Sequence, residues 1–483
     1  MKFHLKPYEH QKKEIDLAMS EDHRALLWDM GTGKTGGLIN VLRVKFALEG
    51  RGLKVLIFAP SVTLLNWKHE FGIHSRIPAH KIVLLDQSGA RRVAKAEQAV
   101  GPGYDQTAII IVNYEAILNK KFFDVLSKWS PEMMVLDESH YIKNKDSKRT
   151  KAIMNLSLQQ SVKYRYILTG TPVLNNLMEI FSQFKFLDRG ETFGTNFFVF
   201  RAKYFQDLNA AWASKGNHFP NFVPRKDAVE EINKLIYSKS SRVMKDECLD
   251  LPPLIEQTLY VEMSPEQKKA YKQMKNEFIT FVKTKKEESK AVVAQLAITK
   301  LMKLQQILSG FVVDEEGEVH DFQKVPKLDE TKRLLQELTP NHKVILWCCF
   351  QHNYKQLSRL CRELKIEHVF LTGEQNTHEK QKSMRDFADV PSVRVVIANR
   401  RAGGIGVNLI AASYSIVFSR NFSLGEEEQS KARNYRGGSE IHDKIVKIDL
   451  CTCKTLDQEI LFALKQKQTL SESVLSTQFQ KRI

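Results

Sequence analysis

The chain has 483 residues, of which 42% are hydrophobic and 27% are charged. This composition is typical of a globular protein and excludes collagen-like, coiled-coil and largely disordered chains. The length suggests two large domains or about three of ordinary size. Lysines and arginines number 73 against 56 aspartates and glutamates, which gives a net charge of +17. That charge favours a polyanionic partner, most often a nucleic acid, although many basic globular proteins bind none.

Cysteine usage and hydropathy indicate an intracellular, cytoplasmic protein. The six cysteines are too few and too scattered for a disulfide framework, and Cys451 and Cys453 lack a second Cys or His pair at zinc-finger spacing. No apolar stretch approaches the roughly 20 residues that a membrane helix needs. The N-terminal sequence has no apolar signal core. We therefore expect free thiols in a reducing compartment.

Short apolar runs that alternate with longer amphipathic stretches predict parallel α/β sheets. A first series predicts strands at 55–59, 109–112, 133–136 and 166–168. A second series predicts strands at 344–347, 369–371, 393–398, 416–418 and 445–448. Between them, residues 188–240 show no clean strand pattern. Residues 264–310 are predicted to be helical, with Ser264 as the N-cap and Pro265 in the first turn.

The segment 26–35, LLWDMGTGKT, has the order strand, glycine loop, helix that a phosphate-binding loop needs. Its glycines let backbone N–H groups approach phosphate oxygens, Lys34 can reach the β and γ phosphates, and the Thr35 hydroxyl can ligate Mg²⁺. The candidate nucleotide-binding residues here are Gly31, Thr32, Gly33, Lys34 and Thr35. Trp28 stands where the standard pattern has its first glycine. The alternative is a simple glycine turn before a helix.

The segment 133–140, MMVLDESH, places two carboxylates at the end of a buried strand. Such a pair is costly unless a cation or a reaction needs it. Asp137 can hold Mg²⁺ through water, and Glu138 can orient or deprotonate an attacking water. His140 could link this site to the rest of the protein. The alternative is a charged strand end at the surface.

These segments, in this order, resemble those of superfamily 2 helicase-type motors and, within them, the Swi2/Snf2-like family of DNA translocases. Gln11, in the sequence LKPYEHQ, matches the residue that reads adenine in that family. The segment 59–61, with Trp67 downstream, resembles motif Ia. The segment 112–115 resembles the next DNA-facing turn of the family, and the segment 168–172 resembles motif III. The resemblance assigns DNA contact or coupling to Pro60, Ser61, Trp67, Asn113, Tyr114, His140, Thr169, Gly170 and Thr171.

The segment 242–271 is the most specific part of the resemblance. It contains LPP, a predicted strand and the pattern M-S-x-x-Q-x-x-Y, like the bridge that distinguishes Snf2-like proteins from other superfamily 2 helicases. The resemblance implies two RecA-like lobes. The first would occupy residues 1–240, with a helical insertion at about 188–240. The second would occupy 241–483, preceded by the bridge and a helical segment at about 241–326.

Motifs V and VI follow in the second lobe. Segment 402–409, AGGIGVNL, resembles motif V, and the resemblance assigns nucleotide binding to Gly404 and DNA contact or coupling to Asn408. Segment 429–437 resembles motif VI, and its spacing Q-x3-R-x2-R predicts Arg433 and Arg436 one turn apart on one helix face. The resemblance implies that these two residues are arginine fingers, which complete the ATP site from the opposite lobe together with Gln429. The alternative is that both arginines are solvated residues on a surface helix.

Two positions depart from the family pattern. Gly438 replaces the usual Gln after motif VI, and Arg401 stands just before motif V where a hydroxyl residue is common, with Arg400 preceding it. These arginines are predicted to contact DNA phosphates or to lie on a basic edge. The departures concern DNA contacts and coupling rather than ATP hydrolysis.

The resemblance implies a DNA-stimulated ATPase that uses ATP and Mg²⁺ to move along or remodel duplex or branched DNA. Phosphate contacts would make DNA binding largely sequence-independent and salt-sensitive. With no zinc module or histone-tail reader in the sequence, we expect a compact monomeric motor of prokaryotic or viral type, used in DNA repair, replication or a phage cycle. Three alternatives stay open: a strand-separating or RNA-directed helicase, an ATP-switched DNA clamp, and a motor subunit for a separate nuclease.

Overall fold

The computed structural model of the protein describes residues 3–61, 63–101, 109–170, 172–173, 176–210, 220–248, 250–284, 290–314, 316–400 and 408–475. Its residues form two compact units: the first contains the described chain up to residue 248 together with residues 467–475, and the second contains the described residues between 250 and 466. Within the described part of the chain, no helix is both long and apolar enough to span a bilayer. All six cysteines are free thiols, as the sequence predicted.

The first unit is built on a parallel sheet. Its described strands are β1 (His23–Trp28), β2 (Val55–Ala59), β3 (Ile82–Leu85), β4 (Ile109–Asn113), β5 (Met133–Asp137), β6 (Tyr164–Leu168), β7 (Phe205–Asp207), β8 (Phe222–Pro224) and β9 (Ser240–Val243). Seven of them pair in the order β3-β4-β2-β5-β6-β1-β9, and all neighbours are parallel. Because β9 pairs with β1, the first sheet continues beyond the predicted boundary at residue 240.

Helices cover both faces of this sheet, so its strands are apolar on both sides. They are α1 (Glu9–Leu17), α2 (Lys34–Leu48), α3 (Leu64–His74), α4 (Gly89–Val100), α5 (Lys120–Trp129), α6 (Lys148–Ser157), α7 (Ile180–Asp188), α8 (Phe197–Tyr204), α9 (Ala228–Ser238) and α10 (Lys245–Cys248). Successive side chains of one strand enter opposite cores, as the two-residue period requires: Phe58 of β2 lies in one and Ile57 in the other. The region predicted as a helical insertion contains α8 and α9, and also the antiparallel pair β7–β8.

The second unit repeats the parallel α/β design. Its described strands are β10 (Leu254–Val261), β11 (Phe311–Val313), β12 (Val319–Asp321), β13 (Val344–Cys348), β14 (Glu367–Leu371), β15 (Val393–Asn399), β16 (Tyr414–Val417) and β17 (Ile445–Thr452). Six of these form a parallel sheet in the order β10-β17-β16-β13-β15-β14. The strand positions predicted from apolar runs are confirmed in both units, as is the fold class of two parallel-sheet α/β lobes.

The helices of the second unit include the segment predicted between the two strand series. They are α11 (Pro265–Thr284), α12 (Lys290–Leu308), α13 (Pro326–Leu338), α14 (Gln351–Glu363), α15 (Thr377–Asp389), α16 (Leu424–Lys431) and α17 (Leu456–Leu475), of which the residues up to 466 belong to this unit. Ser264 caps α11 as predicted: its Oγ accepts from the Gln267 backbone N–H at 3.3 Å, and the Gln267 Oε1 accepts from the Ser264 N–H at 3.2 Å. This reciprocal pair is a capping box.

Candidate active site

The glycine loop connects the carboxyl end of β1 to the first turn of α2. Gly31 and Gly33 have φ angles of 88° and 80°, in the left-handed region that favours glycine. A Cβ atom on Gly33 would lie 2.7 Å from Gln11 Nε2, so a side chain there would meet both backbone strain and a clash. Gly33 is the N-cap of α2, whose first N–H groups have no partner within the helix. The loop therefore has the geometry of an anion site.

Gln11 and His10 of α1 hold the loop from one side. The Gln11 Nε2 donates to the Gly33 carbonyl at 2.9 Å, and its Oε1 accepts from the Tyr8 backbone N–H at 2.9 Å. The His10 Nε2 lies 2.9 Å from the Thr32 carbonyl oxygen. Gln11 thus fixes the glycine loop through its own amide. Its predicted role in reading adenine stays a prediction.

Lys34 is the first residue of α2, and its side chain reaches back to the start of the glycine loop. Its ammonium group donates to the carbonyl oxygens of Trp28 at 2.8 Å and Asp29 at 3.2 Å. Burial lowers the pKa of Lys34, although the carboxylates of Glu138, Asp137 and Asp29 oppose the shift. The ammonium group of Lys34 therefore interacts electrostatically with the carboxylates of the predicted acidic site.

Arg242, from the predicted bridge, supports the same loop. Its guanidinium donates to the Leu27 carbonyl at 2.6 Å and to Asp29 Oδ1 at 2.7 Å. Trp28 Nε1 donates to the neighbouring Ser241 Oγ at 2.8 Å. Strand β9 therefore fixes the backbone from which the phosphate-binding loop begins, a role that the sequence did not indicate for Asp29 or Arg242.

Asp137 ends β5 and is buried. Its Oδ2 accepts a hydrogen bond from Trp67 Nε1 at 2.8 Å, and its backbone carbonyl accepts from the Tyr114 hydroxyl at 2.7 Å. Burial and the neighbouring Glu138 raise the pKa of Asp137 to about 6. Trp67 is 1% exposed and Tyr114 is fully buried, so both contact the acidic site from the interior. Of the two roles that the sequence offered them, DNA contact or coupling, this position favours coupling.

Glu138 follows in a strained backbone conformation, with φ of 54°. Its Oε2 lies 3.4 Å from His140 Nδ1 and accepts from Thr169 Oγ1 at 3.4 Å. Burial opposes ionisation, but the neighbouring His140 and Lys34 outweigh it and lower the pKa of Glu138. A non-glycine residue in this conformation is unusual and, at a site like this one, points to function. An ionised Glu138 could accept a proton from, or orient, a water molecule.

The segment after β6 lies close to the glycine loop. A Cβ atom on Gly170 would lie 3.2 Å from the Trp28 carbonyl oxygen, so glycine permits this close approach. Thr169 is fully buried and joins Glu138, as described above. Thr171 lies outside the described residues.

Two of the predicted DNA-contact residues meet at the carboxyl ends of β2 and β4. Asn113 Nδ2 donates to Ser61 Oγ at 3.2 Å and to Glu115 Oε2 at 3.3 Å. Ser61 is exposed, Asn113 is half-buried and Pro60 is buried. These polar side chains are accessible at the sheet edge, whereas Trp67 and Tyr114 are not.

In the second unit, both of the alternatives predicted for Arg400 are excluded. Arg400 is 3% exposed and its Nη1 pairs with Glu427 on α16. Direct contact with DNA phosphates, or a place on a basic surface edge, is therefore wrong for Arg400, because the residue is buried and its guanidinium pairs with Glu427 inside the lobe. Arg401 and Gly404 lie outside the described residues, and Asn408 is exposed.

The geometry predicted for Arg433 and Arg436 is also wrong. Helix α16 ends at Lys431, so the two arginines lie in the turns that follow rather than on one helix face. The Arg433 carbonyl accepts from the Leu409 N–H at 2.9 Å, and Asn434 Nδ2 donates to the Ala412 carbonyl at 3.2 Å. These bonds connect the turns to Leu409 at the end of motif V and to Ala412 just after it. Gln429 lies in the last turn of α16 and is half-buried.

Gly438, the departure from the family pattern, has a structural explanation. Its φ is 100°, and a Cβ atom there would lie 3.0 Å from Ile410 Cδ1. Glycine therefore ends the arginine-bearing turn against the segment after motif V.

Comparisons with known proteins identify the family. The SNF2-related domain matches residues 10–310, and the helicase conserved C-terminal domain matches residues 326–438. The chain belongs to the SNF2-related family. The resemblance drawn from the sequence motifs is confirmed.

Relatives of this SNF2-related chain are larger proteins. The CHD3-type chromatin-remodeling factor PICKLE of Arabidopsis thaliana is 26% identical over 490 residues, which are 94% of this chain and 33% of PICKLE. The uncharacterized ATP-dependent helicase MG018 of Mycoplasma genitalium is 26% identical over 453 residues, 92% of this chain and 40% of that protein. The solved SWI2/SNF2 ATPase core of Sulfolobus solfataricus in complex with dsDNA matches with a TM-score of 0.43 and 23% identity, over 98% of this chain and 94% of that chain.

The donor set of this SNF2-related chain fits Mg²⁺. The predicted ligands, Thr35 and Asp137, supply oxygen atoms, which this hard cation prefers. Asp137 and Glu138 place two carboxylates side by side, and a cation there would offset their repulsion. Thr35 and Asp137 would hold the ion together with the phosphates of the nucleotide.

Proposed function

We propose that the chain is an ATP-dependent DNA translocase that hydrolyses ATP and moves along or remodels duplex or branched DNA. The observation that carries the proposal is the electrostatically coupled group formed by Lys34, Asp137 and Glu138 beside the glycine loop, in a chain of the SNF2-related family. The names of its relatives, an ATP-dependent helicase and a chromatin-remodeling factor, support the same class of activity.

Each residue at the glycine loop has a proposed task in hydrolysis. The loop N–H groups and Lys34 bind the phosphates, and Mg²⁺, when bound, neutralises charge that develops on them. Glu138 accepts a proton from the attacking water or orients it. Gln11 reads the adenine. Arg433, Arg436 and Gln429 bind the γ-phosphate and stabilise the charge that develops on it.

DNA binding is proposed for the exposed strand-end residues and for the basic charge as a whole. Ser61, Asn113 and Asn408 are accessible polar groups that can donate to phosphate oxygens. The net charge of +17 favours a polyanion. Such contacts carry little sequence information, so binding is expected to weaken steeply with salt.

The first experiment measures ATP hydrolysis by the purified chain alone and with single-stranded DNA, linear duplex, forked DNA, a four-way junction and RNA. Stimulation by duplex or junction DNA supports the translocase, and the preferred structure narrows its task in repair, replication or a phage cycle. Equal rates with and without every nucleic acid would overturn the DNA-motor proposal. Preferential stimulation by RNA, or unwinding of a forked duplex in the presence of a strand trap, would favour a true helicase.

A further inference from the structure

A buried glutamine joins the two segments that carry the acidic site and motif III. Ser139 Oγ donates to Gln183 Oε1 at 2.6 Å, and Gln183 Nε2 donates to the Pro172 carbonyl at 2.7 Å. The same Nε2 donates to the Glu179 carbonyl at 3.1 Å. Ser139 and Gln183 are both fully buried. The side chain of Gln183 is therefore a bridge between the segment after β5 and the segment after β6.

An amide is an unexpected side chain at this place in α7. Its neighbours on the helix, Phe181, Phe184 and Phe186, all lie in the apolar core of the first unit. A buried amide costs free energy unless its oxygen and nitrogen both find partners. Here both do, and the partners come from Ser139 and Pro172, which flank the functional residues. A side chain that only packed α7 against the sheet would need no polar group.

The two bridged segments hold Glu138 between them. Glu138 precedes Ser139 directly and has the strained φ of 54°, which persists only if surrounding contacts maintain it. Thr169, three residues before Pro172, donates to the Glu138 carboxylate at 3.4 Å. A shift of either segment would therefore change the position of the Glu138 carboxylate.

We propose that Gln183 is a positioning residue for ATP hydrolysis: it holds the segments around Glu138 and Thr169 in one register, so that the Glu138 carboxylate stays aimed at the site of the attacking water. The proposal rests on the ATPase function proposed above. Gln183 touches neither nucleotide nor water in this scheme and acts through Ser139 and Pro172. Since displacements of about 1 Å can cost an enzyme roughly 100-fold in rate, a bridge of this kind affects turnover more than nucleotide binding.

The test is a double-mutant cycle on kcat and KM for ATP with saturating duplex DNA. Ser139→Ala and Gln183→Met each break the bridge with little change in volume, and we expect each to lower kcat roughly 10-fold while KM changes less than about 2-fold. The combined variant should be no slower than the slower single variant, because both remove the same bridge. Ser157→Ala is the matched control: it deletes another buried hydroxyl, which donates to the Met154 carbonyl at 2.8 Å within α6.

Wild-type kcat in both single variants, multiplicative losses in the double variant, or an equal loss in Ser157→Ala would overturn the positioning role. Amide hydrogen exchange of the ligand-free chain supplies a readout that does not depend on turnover. In Gln183→Met the segments 139–142 and 168–173 should exchange faster together, and unchanged exchange in both segments would also overturn the proposal. An inactive wild-type chain with this exchange response would instead refute the proposed ATPase and leave the bridge in place.

Discussion

Arg400 and Glu427 form an ion pair inside the second lobe, joining the end of β15 to α16. Their side chains are 1% and 9% exposed. The pair continues into a network in which Lys447 Nζ lies 2.6 Å from Glu427 Oε1 and Arg420 Nη2 lies 2.7 Å from Asp449 Oδ1. Burial opposes ionisation of Glu427, but these cations outweigh it and hold the pKa of Glu427 well below its usual range. The network therefore connects the approach to motif V with the helix that leads into motif VI.

Arg400→Ala should destabilise the second lobe. Removing one partner leaves Glu427 with less compensation in a buried position, which costs about 3–5 kcal/mol. Urea denaturation with a probe in the second lobe measures the change in free energy of unfolding. Arg359→Ala is the control, because that arginine is 82% exposed and its pair with Glu363 is a surface one, expected to contribute less than about 1 kcal/mol. Unchanged stability with a large, salt-dependent loss of DNA affinity would restore the phosphate-contact interpretation of Arg400.

The strands could be predicted from the sequence, whereas the buried environment of Arg400 could not. Buried parallel strands are short β-branched runs, so local composition was enough to find β5 and, at its end, Asp137 and Glu138. Whether an arginine faces DNA or a buried carboxylate depends on residues distant in the chain, and no local pattern records it. The same holds for Trp67, whose indole meets Asp137 only after α3 packs against the sheet.

The end of α16 was missed for a related reason. The spacing of Arg433 and Arg436 fits a helix, but the helix stops when Arg433 and Asn434 bond to the segment around Leu409 and Ala412. Gly438, noted only as a departure from the family, was the local signal of that turn. Gln183 gave no signal, because a single glutamine in an apolar helix pattern does not indicate its partners.

Trp67→Phe should lower ATP turnover roughly 10-fold and raise the Mg²⁺ concentration needed for half-maximal rate. The substitution keeps an aromatic ring in the core but removes the donor to Asp137 Oδ2, a hydrogen bond to a charged group worth about 1.5–3 kcal/mol. Steady-state rates across a Mg²⁺ titration measure the effect. Trp129→Phe, another buried tryptophan of the first lobe, should leave both values near wild type. Normal Mg²⁺ dependence in Trp67→Phe would remove the indole from the metal site.

Gly33→Ala should weaken ATP binding by at least about 10-fold. Its new methyl group would lie 2.7 Å from Gln11 Nε2, and the left-handed φ of 80° adds strain of about 1–2 kcal/mol. The loop must therefore shift away from its anion-binding conformation. Gly50→Ala separates the two causes, since Gly50 has φ of 64° but no atom within 4 Å of the position that a Cβ would occupy. Fluorescent nucleotide titration should show normal affinity for Gly50→Ala, and equal losses in both variants would attribute the effect to backbone strain alone.

Glu138→Gln should bind ATP with near-normal affinity and lose turnover. The amide keeps the size of the side chain but cannot accept a proton from water, and general-base catalysis of this kind contributes roughly 10²–10⁴-fold. Nucleotide titration and steady-state hydrolysis with duplex DNA separate binding from chemistry. Glu132→Gln, which removes a carboxylate paired with Arg51 at the other end of β5, controls for the loss of charge. Unchanged turnover in Glu138→Gln would contradict its assignment.

Arg436→Ala should lower turnover roughly 10³-fold, the lower end of what an arginine finger supplies, with little change in stability. Arg436 lies half-buried in the turn after α16, and that turn is held by its backbone and by Asn434, so removing the guanidinium should leave the turn in place. Melting temperature and nucleotide affinity check this, while DNA-stimulated hydrolysis reports the finger. Arg333→Ala, a 56% exposed arginine paired with Glu330 on α13, is the charge-matched control. A wild-type rate in Arg436→Ala would exclude it from the ATP site, whereas a loss confined to Arg436→Ala would mean that the second lobe contributes to hydrolysis.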